Sequence, residues 1–263
     1  MPQTPAGILA RLRSVHPSSP RLVWHGRDGR IELSGRVFDN WVAKSSNLLA
    51  DELDAAGGTL VAFDLPVHWK SVALAFACWQ VGAIAVLQDG VRPGSASPTA
   101  PTSPASPEDP QGEADIVLSS REGVDVDPPR LLVCVALGSL ALRWDGPLPR
   151  GAVDFAADVR SHGDVYLGAP DDAGDAPLIR TGGRSLAAGD LAGLVTLPAD
   201  TNSGSSGDAP TVLLEPGTDL LRALATALAV WQQDGTLVLV EEGVPVTDRL
   251  LAGERVTGRL GTA

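Results

Sequence analysis

The stretch that most limits what this chain can fold into runs from Thr59 to Leu87: "TLVAFD", then "LPVHWKSVALAFACWQVG", then "AIAVL". The first and last runs are short, unbroken and apolar, and Gly57-Gly58, Pro66 and Gly82 bound them, as expected of strands buried on both faces. Between them, His68 to Gly82 is apolar on nearly every side, so this helix must pack among other elements rather than lie on the surface. A strand, helix and strand of these lengths close as a parallel pair with a right-handed crossover, because a right-twisted strand packs its helix back onto the sheet in only that hand. The predicted fold class is therefore α/β, with mainly parallel sheets flanked by helices.

Upstream, "RLVWHGRDGRIELSG" reads as two strands joined at Asp28-Gly29, a pair suited to the positive φ angles of a two-residue hairpin turn. Ser34 then stands where an N-cap belongs. Val37, Trp41, Leu48, Leu49, Glu52 and Leu53 follow at helical spacing, the apolar members forming one stripe, and Gly57-Gly58 should end that helix. Downstream, "DIVLS" and "RLLVCVAL" read as further strands. The stretch "TVLLEPGTDLLRALATALAVWQQDGTLVLV" repeats the layout of the first unit. Each has a strand ending in an acid, a nearby proline (Pro66, Pro216), an Ala/Leu-rich helix, a Trp-Gln pair (Trp79-Gln80, Trp231-Gln232) and a second strand. Duplication of one unit and chance likeness between two Ala-rich units both account for this. Residues 92–112 are dominated by Pro, Ser, Ala and Thr, a composition that cannot bury enough to offset its ordering entropy. The expected organisation is a first α/β portion over 1–91, a flexible linker over 92–114 and a second α/β portion over 115–263, or one continuous domain.

Charge narrows the function classes. Thirty-two acidic residues against 20 basic ones give a net charge of −12, and the basic residues are scattered. That argues against nucleic acid and against an anionic membrane face. Only two of the basic residues, Lys44 and Lys70, are lysines. The opening "MPQTPAGILARLRSVHP" has no apolar core of the secretory kind, and the longest fully apolar run, Val72 to Trp79, is far too short to span a bilayer. A cytoplasmic location is the expectation. Cys78 and Cys134 sit in apolar stretches and read as buried, reduced thiols.

Few residues carry a chemical signature. In "LIRTGGRS", Thr181, Gly182, Gly183, Arg184 and Ser185 could present backbone N–H groups and hydroxyls to an anion ahead of a helix "SLAAGDLAGL". A plain turn capped by Ser185 fits the same residues. Asp158, His162 and Asp164 are metal-ligating types in one short stretch, or simply members of a polar loop. "NSGSSGD" at 202–208 is no nucleophile elbow, since Gly204 and Gly207 stand one position too close, and it reads as a loop. No G-x-x-x-x-G-K-[ST] motif occurs. The six tryptophans read as packing residues. His68, just after Pro66, either faces a crevice at the strand ends or stands as a surface residue at a helix terminus.

Residues 31–87 resemble the opening of the adenylate-forming superfamily, which includes acyl-CoA synthetases, luciferase and peptide-synthetase adenylation domains. The likeness rests on Leu48, Leu49 and Leu53 of the first helix, on Phe63-Asp64-Leu65-Pro66 after the strand, and on Gly82-Ala83 before the next. Glu254, Arg255, Val256 and Thr257 are similar to the family's later "ervT" phrase. In size and layout the chain resembles a group of short actinobacterial proteins related to that superfamily. The resemblance implies the fold of the enzymes' N-terminal region, and it implies ATP or AMP with Mg at a glycine-rich loop, for which residues 181–185 stand by position. It also shows what the chain lacks. No Thr-Glu pair occurs, and no lysine follows Lys70. The expected function is therefore a truncated pseudoenzyme, without ligase activity, that binds a nucleotide, an acyl ligand or a protein partner, or pairs with itself, as a binding or regulatory module. A diverged enzyme that binds ATP and activates a carboxylate is the competing reading, and a structural dimer without a ligand is the third.

Overall fold

The computed structural model describes residues 4–88, 113–168, 174–198 and 209–261; the 92–112 stretch and the 202–208 loop lie outside the described residues. The chain opens with helix α1 (Pro5–Ser14), whose first turn is capped by the Thr4 hydroxyl and preset by Pro5. Strands β1 (Pro20–Gly26) and β2 (Gly29–Ser34) follow as an antiparallel hairpin, then helix α2 (Gly35–Leu53), strand β3 (Leu60–Asp64), helix α3 (Trp69–Gln80) and strand β4 (Ile84–Leu87). Next come β5 (Ile116–Ser119), β6 (Leu131–Cys134), β7 (Val153–Asp154), α4 (Phe155–Asp158), β8 (Ile179–Thr181), β9 (Arg184–Leu186) and α5 (Ala188–Gly193). The last elements are β10 (Thr211–Leu214), α6 (Leu220–Gln232), β11 (Thr236–Val240), α7 (Asp248–Gly253) and β12 (Gly258–Leu260).

The strands form two sheets. One has the order β12-β10-β11-β1-β2, the other β7-β6-β5-β3-β4-β8-β9. Among the described residues only β1–β2 and β8–β9 pair antiparallel; the other neighbour pairs are parallel, as the strand–helix–strand reading predicts. Alternation along each strand divides the apolar residues between faces. Val61 and Phe63 of β3, with Leu22 and Trp24 of β1 and Leu237 and Leu239 of β11, join one large core that also holds α1, α2, α3 and α6. Ala62 and Val23 turn to two smaller clusters on the far faces. The helices are thus packed between the inner faces of both sheets, which is why α3 is buried from Trp69 to Trp79.

Aromatic rings lock this middle layer. Trp231 of α6 lies 4.7 Å from Phe38 and 5.2 Å from Phe76, centroid to centroid, and its Nε1–H donates to the Arg21 carbonyl at 2.8 Å. Trp79 of α3 packs 4.9 Å from Phe76 and donates to the Leu178 carbonyl at 2.8 Å. Each indole therefore ties its helix to the backbone beside a sheet while burying a large apolar surface. Cys78 and Cys134 are buried free thiols, as expected from the sequence.

Three local readings need correction. The β1–β2 hairpin turns on Arg27-Asp28, and Gly29 (φ +133°) already belongs to β2, paired with Gly26, so the turn lies one residue earlier than Asp28-Gly29. Ser34 does cap α2, accepting from the Val37 N–H at 3.3 Å, but the helix ends on Asp54 in the left-handed conformation, before Gly57-Gly58. Val37 is exposed and Phe38 takes the core position, so the apolar stripe starts one residue later than the spacing implied.

Candidate functional site

The carboxyl ends of parallel strands from both sheets meet around one cavity of about 400 Å³. This is where α/β folds leave a crevice, because the loops that leave neighbouring strands diverge there. Trp24 comes from β1, Leu214 from the end of β10, and Leu239 and Val240 from β11. Pro66, Val67 and His68 enter from the β3–α3 connection, Leu137 and Gly138 from beyond β6, and Pro216 to Thr218 from the β10–α6 connection. The two repeated Pro-containing turns thus face each other across the space between the sheets.

Its polar groups are unevenly signed. Asp28, Glu215, Glu241 and Glu242 line it, against the guanidinium of Arg27. Asp28 accepts from Ser139 at both its backbone N–H (2.6 Å) and its hydroxyl (2.9 Å), and these bonds hold its carboxyl below the usual carboxylate range. Glu215 takes Nε–H of Arg259 at 2.6 Å, and Glu241 takes the Arg27 backbone N–H at 2.8 Å.

His68 is the N-cap of α3. Its Nδ1 accepts from the Lys70 N–H at 3.1 Å, which places the ring proton on Nε2. Only 3% of the residue is exposed, and burial, reinforced by the Lys70 charge, depresses its pKa to about 3, so the ring is neutral. Trp24 packs against it edge-on at 4.5 Å. The crevice reading of His68 is the one the structure bears out; the surface reading is not. Lys70 turns the other way, donating to the carbonyls of Ala136 (2.6 Å) and Gly138 (2.8 Å), with its pKa lowered to about 8 by burial. It braces the loop that forms one wall.

The 178–185 stretch has a different form from the one expected. Thr181 ends β8, Gly182 and Gly183 (φ +51° and +70°) make a two-residue hairpin turn, and Arg184 and Ser185 belong to β9. Ser185 is an exposed strand residue and caps no helix. Helix α5 starts three residues later, where Asp190 accepts the Ala187 N–H at 2.9 Å. These five residues sit at the edge of the seven-stranded sheet and line no part of the cavity. Nor do Asp158, His162 and Asp164 form a centre: His162 pairs with Glu52 at 2.9 Å and Asp164 with Lys44 at 2.6 Å. Among the described residues no group of acids, histidines and cysteines is placed to hold a metal, and no helix is long and apolar enough to cross a membrane.

Sequence reasoning missed Trp24, Asp28, Glu215, Glu241 and Glu242 as one constellation. A signal was there, because an acid follows the apolar run in β10 and again in β11, but pairing order decides which strand ends meet.

No protein-family model matches the chain. A TIGR03089 family protein of Mycobacterium tuberculosis is 34% identical over 169 residues, which are 63% of this chain and 63% of that relative. Among solved structures, an acyl-CoA synthetase of Brucella canis superposes with a TM-score of 0.66 at 17% identity, covering 97% of this chain and 46% of the enzyme. The N-terminal subdomain of NpsA from Klebsiella oxytoca gives 0.61 at 15%, covering 98% and 61%. A fatty acyl CoA synthetase of Mycobacterium tuberculosis gives 0.58 at 16%, covering 96% and 48%. The chain therefore has the fold of the N-terminal part of adenylate-forming enzymes, and it spans less than two thirds of the length of each of these relatives.

Proposed function

We propose that the chain works as a ligand-binding module on this N-terminal scaffold, without ligase activity of its own, and that its ligand sits in the cavity between the sheets. One observation carries the reading. The parallel strands of both sheets converge on a preformed crevice with apolar walls and a few placed polar groups, the usual make-up of a small-molecule site. The fate of the cations supports the second half. Phosphoryl and acyl-adenylate chemistry needs positive charge held where negative charge develops. Here both lysines are committed elsewhere, Lys70 to two carbonyls and Lys44 to Asp164.

The test has two arms. Pyrophosphate exchange with Mg-ATP and a set of carboxylic acids should give no carboxylate-dependent signal; such a signal would restore the enzyme reading. A thermal-shift screen of small molecules should return stabilising compounds whose effect disappears in Val67→Trp, which fills the crevice. The diverged-enzyme reading keeps one observation in its favour, the coverage of nearly the whole chain by ligase structures. Heat from Mg-ATP that is lost in Gly182→Ala and Arg184→Ala would move the ligand site to the β8–β9 hairpin.

A further inference from the structure

The cavity's ligand class follows from which of its polar atoms are left to be paired. Its acceptors are served from within the protein. Asp28 accepts from Ser139, Glu215 from Arg259 and Glu241 from Arg27, while the Gly138 carbonyl accepts from Lys70. Glu242 is exposed to solvent.

Two buried donors are not served. His68 is 3% exposed, its Nδ1 accepts from the α3 backbone, and the ring proton is therefore on Nε2, where it has no acceptor among the described residues. Trp24 is 2% exposed, and its Nε1–H has none either, although the Asp28 and Glu241 carboxylates stand near it. Neither nitrogen is shut inside the protein. Among the described residues, the wholly occluded side-chain polar atoms without a partner are Arg21 Nε, Ser45 Oγ, Trp69 Nε1 and Arg222 Nε. The slivers of surface that His68 and Trp24 keep thus reach their N–H groups, and both side chains line the cavity. Their rings pack edge-on with centroids 4.5 Å apart, so both belong to one wall.

We propose that this cavity takes an uncharged, mostly apolar molecule bearing a carbonyl oxygen, as an ester, amide or ketone does, and that this oxygen accepts from His68 Nε2–H. The inference rests on the cavity being the ligand site. Val67, Leu137, Leu214 and Leu239, with the Trp24 ring, supply apolar walls for the body of the molecule in a space of about 400 Å³. A molecule that fills this space displaces solvent from the His68 N–H, and a buried donor left unpaired costs more than a hydrogen bond ordinarily gains. A carbonyl meets that demand, because its oxygen accepts and carries no proton. Charged molecules do not. An anion meets the carboxylates of Asp28, Glu215, Glu241 and Glu242, and the lining guanidinium of Arg27 already stands 3.5 Å from Glu241. An ammonium group brings only donors, which His68 and Trp24 cannot use.

The experiment is calorimetric titration of the full chain with acetophenone, ethylbenzene, benzoate and AMP. The first two differ by a carbonyl in place of a methylene. Acetophenone should bind about tenfold more tightly than ethylbenzene, and more tightly than benzoate or AMP. His68→Ser keeps an N-cap oxygen for α3 but no donor that reaches the cavity, and it should bring the acetophenone-to-ethylbenzene ratio close to one. Taking the ratio cancels what the substitution does to packing. In the unaltered protein, with isotope-labelled histidine, the His68 Nε2 resonance should shift with acetophenone and stay in place with ethylbenzene. If the ratio is already close to one, if it survives His68→Ser, if the Nε2 resonance ignores acetophenone, or if benzoate or AMP binds more tightly, the carbonyl assignment is overturned while the cavity remains the ligand site. If none of the four probes binds, the assignment falls as well, and the Val67→Trp-sensitive compounds of the thermal-shift screen decide separately whether the cavity holds a ligand.

Discussion

The β3–α3–β4 and β10–α6–β11 units share a plan and differ in how each is held. In both, two adjacent parallel strands flank an Ala-rich helix whose C-terminal Trp bonds a backbone carbonyl outside the unit. The turn after the helix differs. Gly82 supplies the left-handed residue in the first unit (φ +80°), whereas in the second Asp234 does so (φ +58°), one residue before Gly235. That Asp then earns a structural role, pairing with Arg11 of α1 at 2.8 Å and accepting from the buried Arg21 through its carbonyl. The helix starts differ too, with His68 capping α3 and Asp219 capping α6. One plan therefore accepts different local solutions wherever the tertiary neighbours supply the missing partner.

The largest expected difference lies in the two tryptophans. Trp231→Ala should destabilise the protein by about 3–5 kcal/mol in urea unfolding, within the usual range for buried aromatics, and Trp79→Ala by less. Trp231 packs against two aromatic rings, Phe38 and Phe76, while among the described residues Trp79 packs against one, Phe76. Equal losses would break the comparison.

The caps come next. His68 has a folded pKa near 3 against 6.5 for an unperturbed histidine, so below pH 6.5 the unfolded chain takes up a proton that the folded one refuses. Its contribution is complete above pH 6.5 and is lost as pH falls towards 3, adding a slope of at most about 1.4 kcal/mol per pH unit. Acid titration of His68→Asn, which keeps an acceptor for the Lys70 N–H but cannot titrate, should be flatter by that amount. Lys70 acts on the alkaline side. Its pKa, lowered from 10.5 to about 8, makes stability rise with pH between those values, and Lys70→Met should remove the rise.

Smaller effects separate the two turns. Gly235→Ala drives a methyl group into the Pro210 carbonyl and the Val230 side chain and should cost about 1–3 kcal/mol. Gly82→Ala, where Gly57 Cα stands 3.2 Å from the new Cβ, faces mainly the left-handed backbone and should cost about 1–2 kcal/mol. Asp219→Ala should cost about 1 kcal/mol, the ordinary loss of an N-cap. Thermal or urea unfolding ranks all three, and the reverse order for the glycines would show that backbone conformation outweighs packing here.

Much of this architecture was legible because short-range pattern encodes it. The run from Thr59 to Leu87 could bury itself only as a parallel unit, the β1–β2 hairpin was legible although it turns on Arg27-Asp28 rather than Asp28-Gly29, and Ser34 had the right chemistry to cap α2. At 178–185 the strand and the glycine turn were legible, but the residues after them form a strand where a helix was expected, because two glycines after a strand suit either continuation. The antiparallel pairing of Arg180 with Ser185 is what selects the strand.

Residue order by itself determined the fold class, the elements and their buried faces, since these follow from periodicity and from the few residues that start or stop a helix. The tertiary structure decided which strand ends meet. Trp24, His68, Glu215 and Glu241 are up to 217 positions apart in the chain, and no local pattern places them around one space. Strand order and the packing of helices between two sheets bring them together, because burial of the shared core outweighs any preference the separate segments have alone.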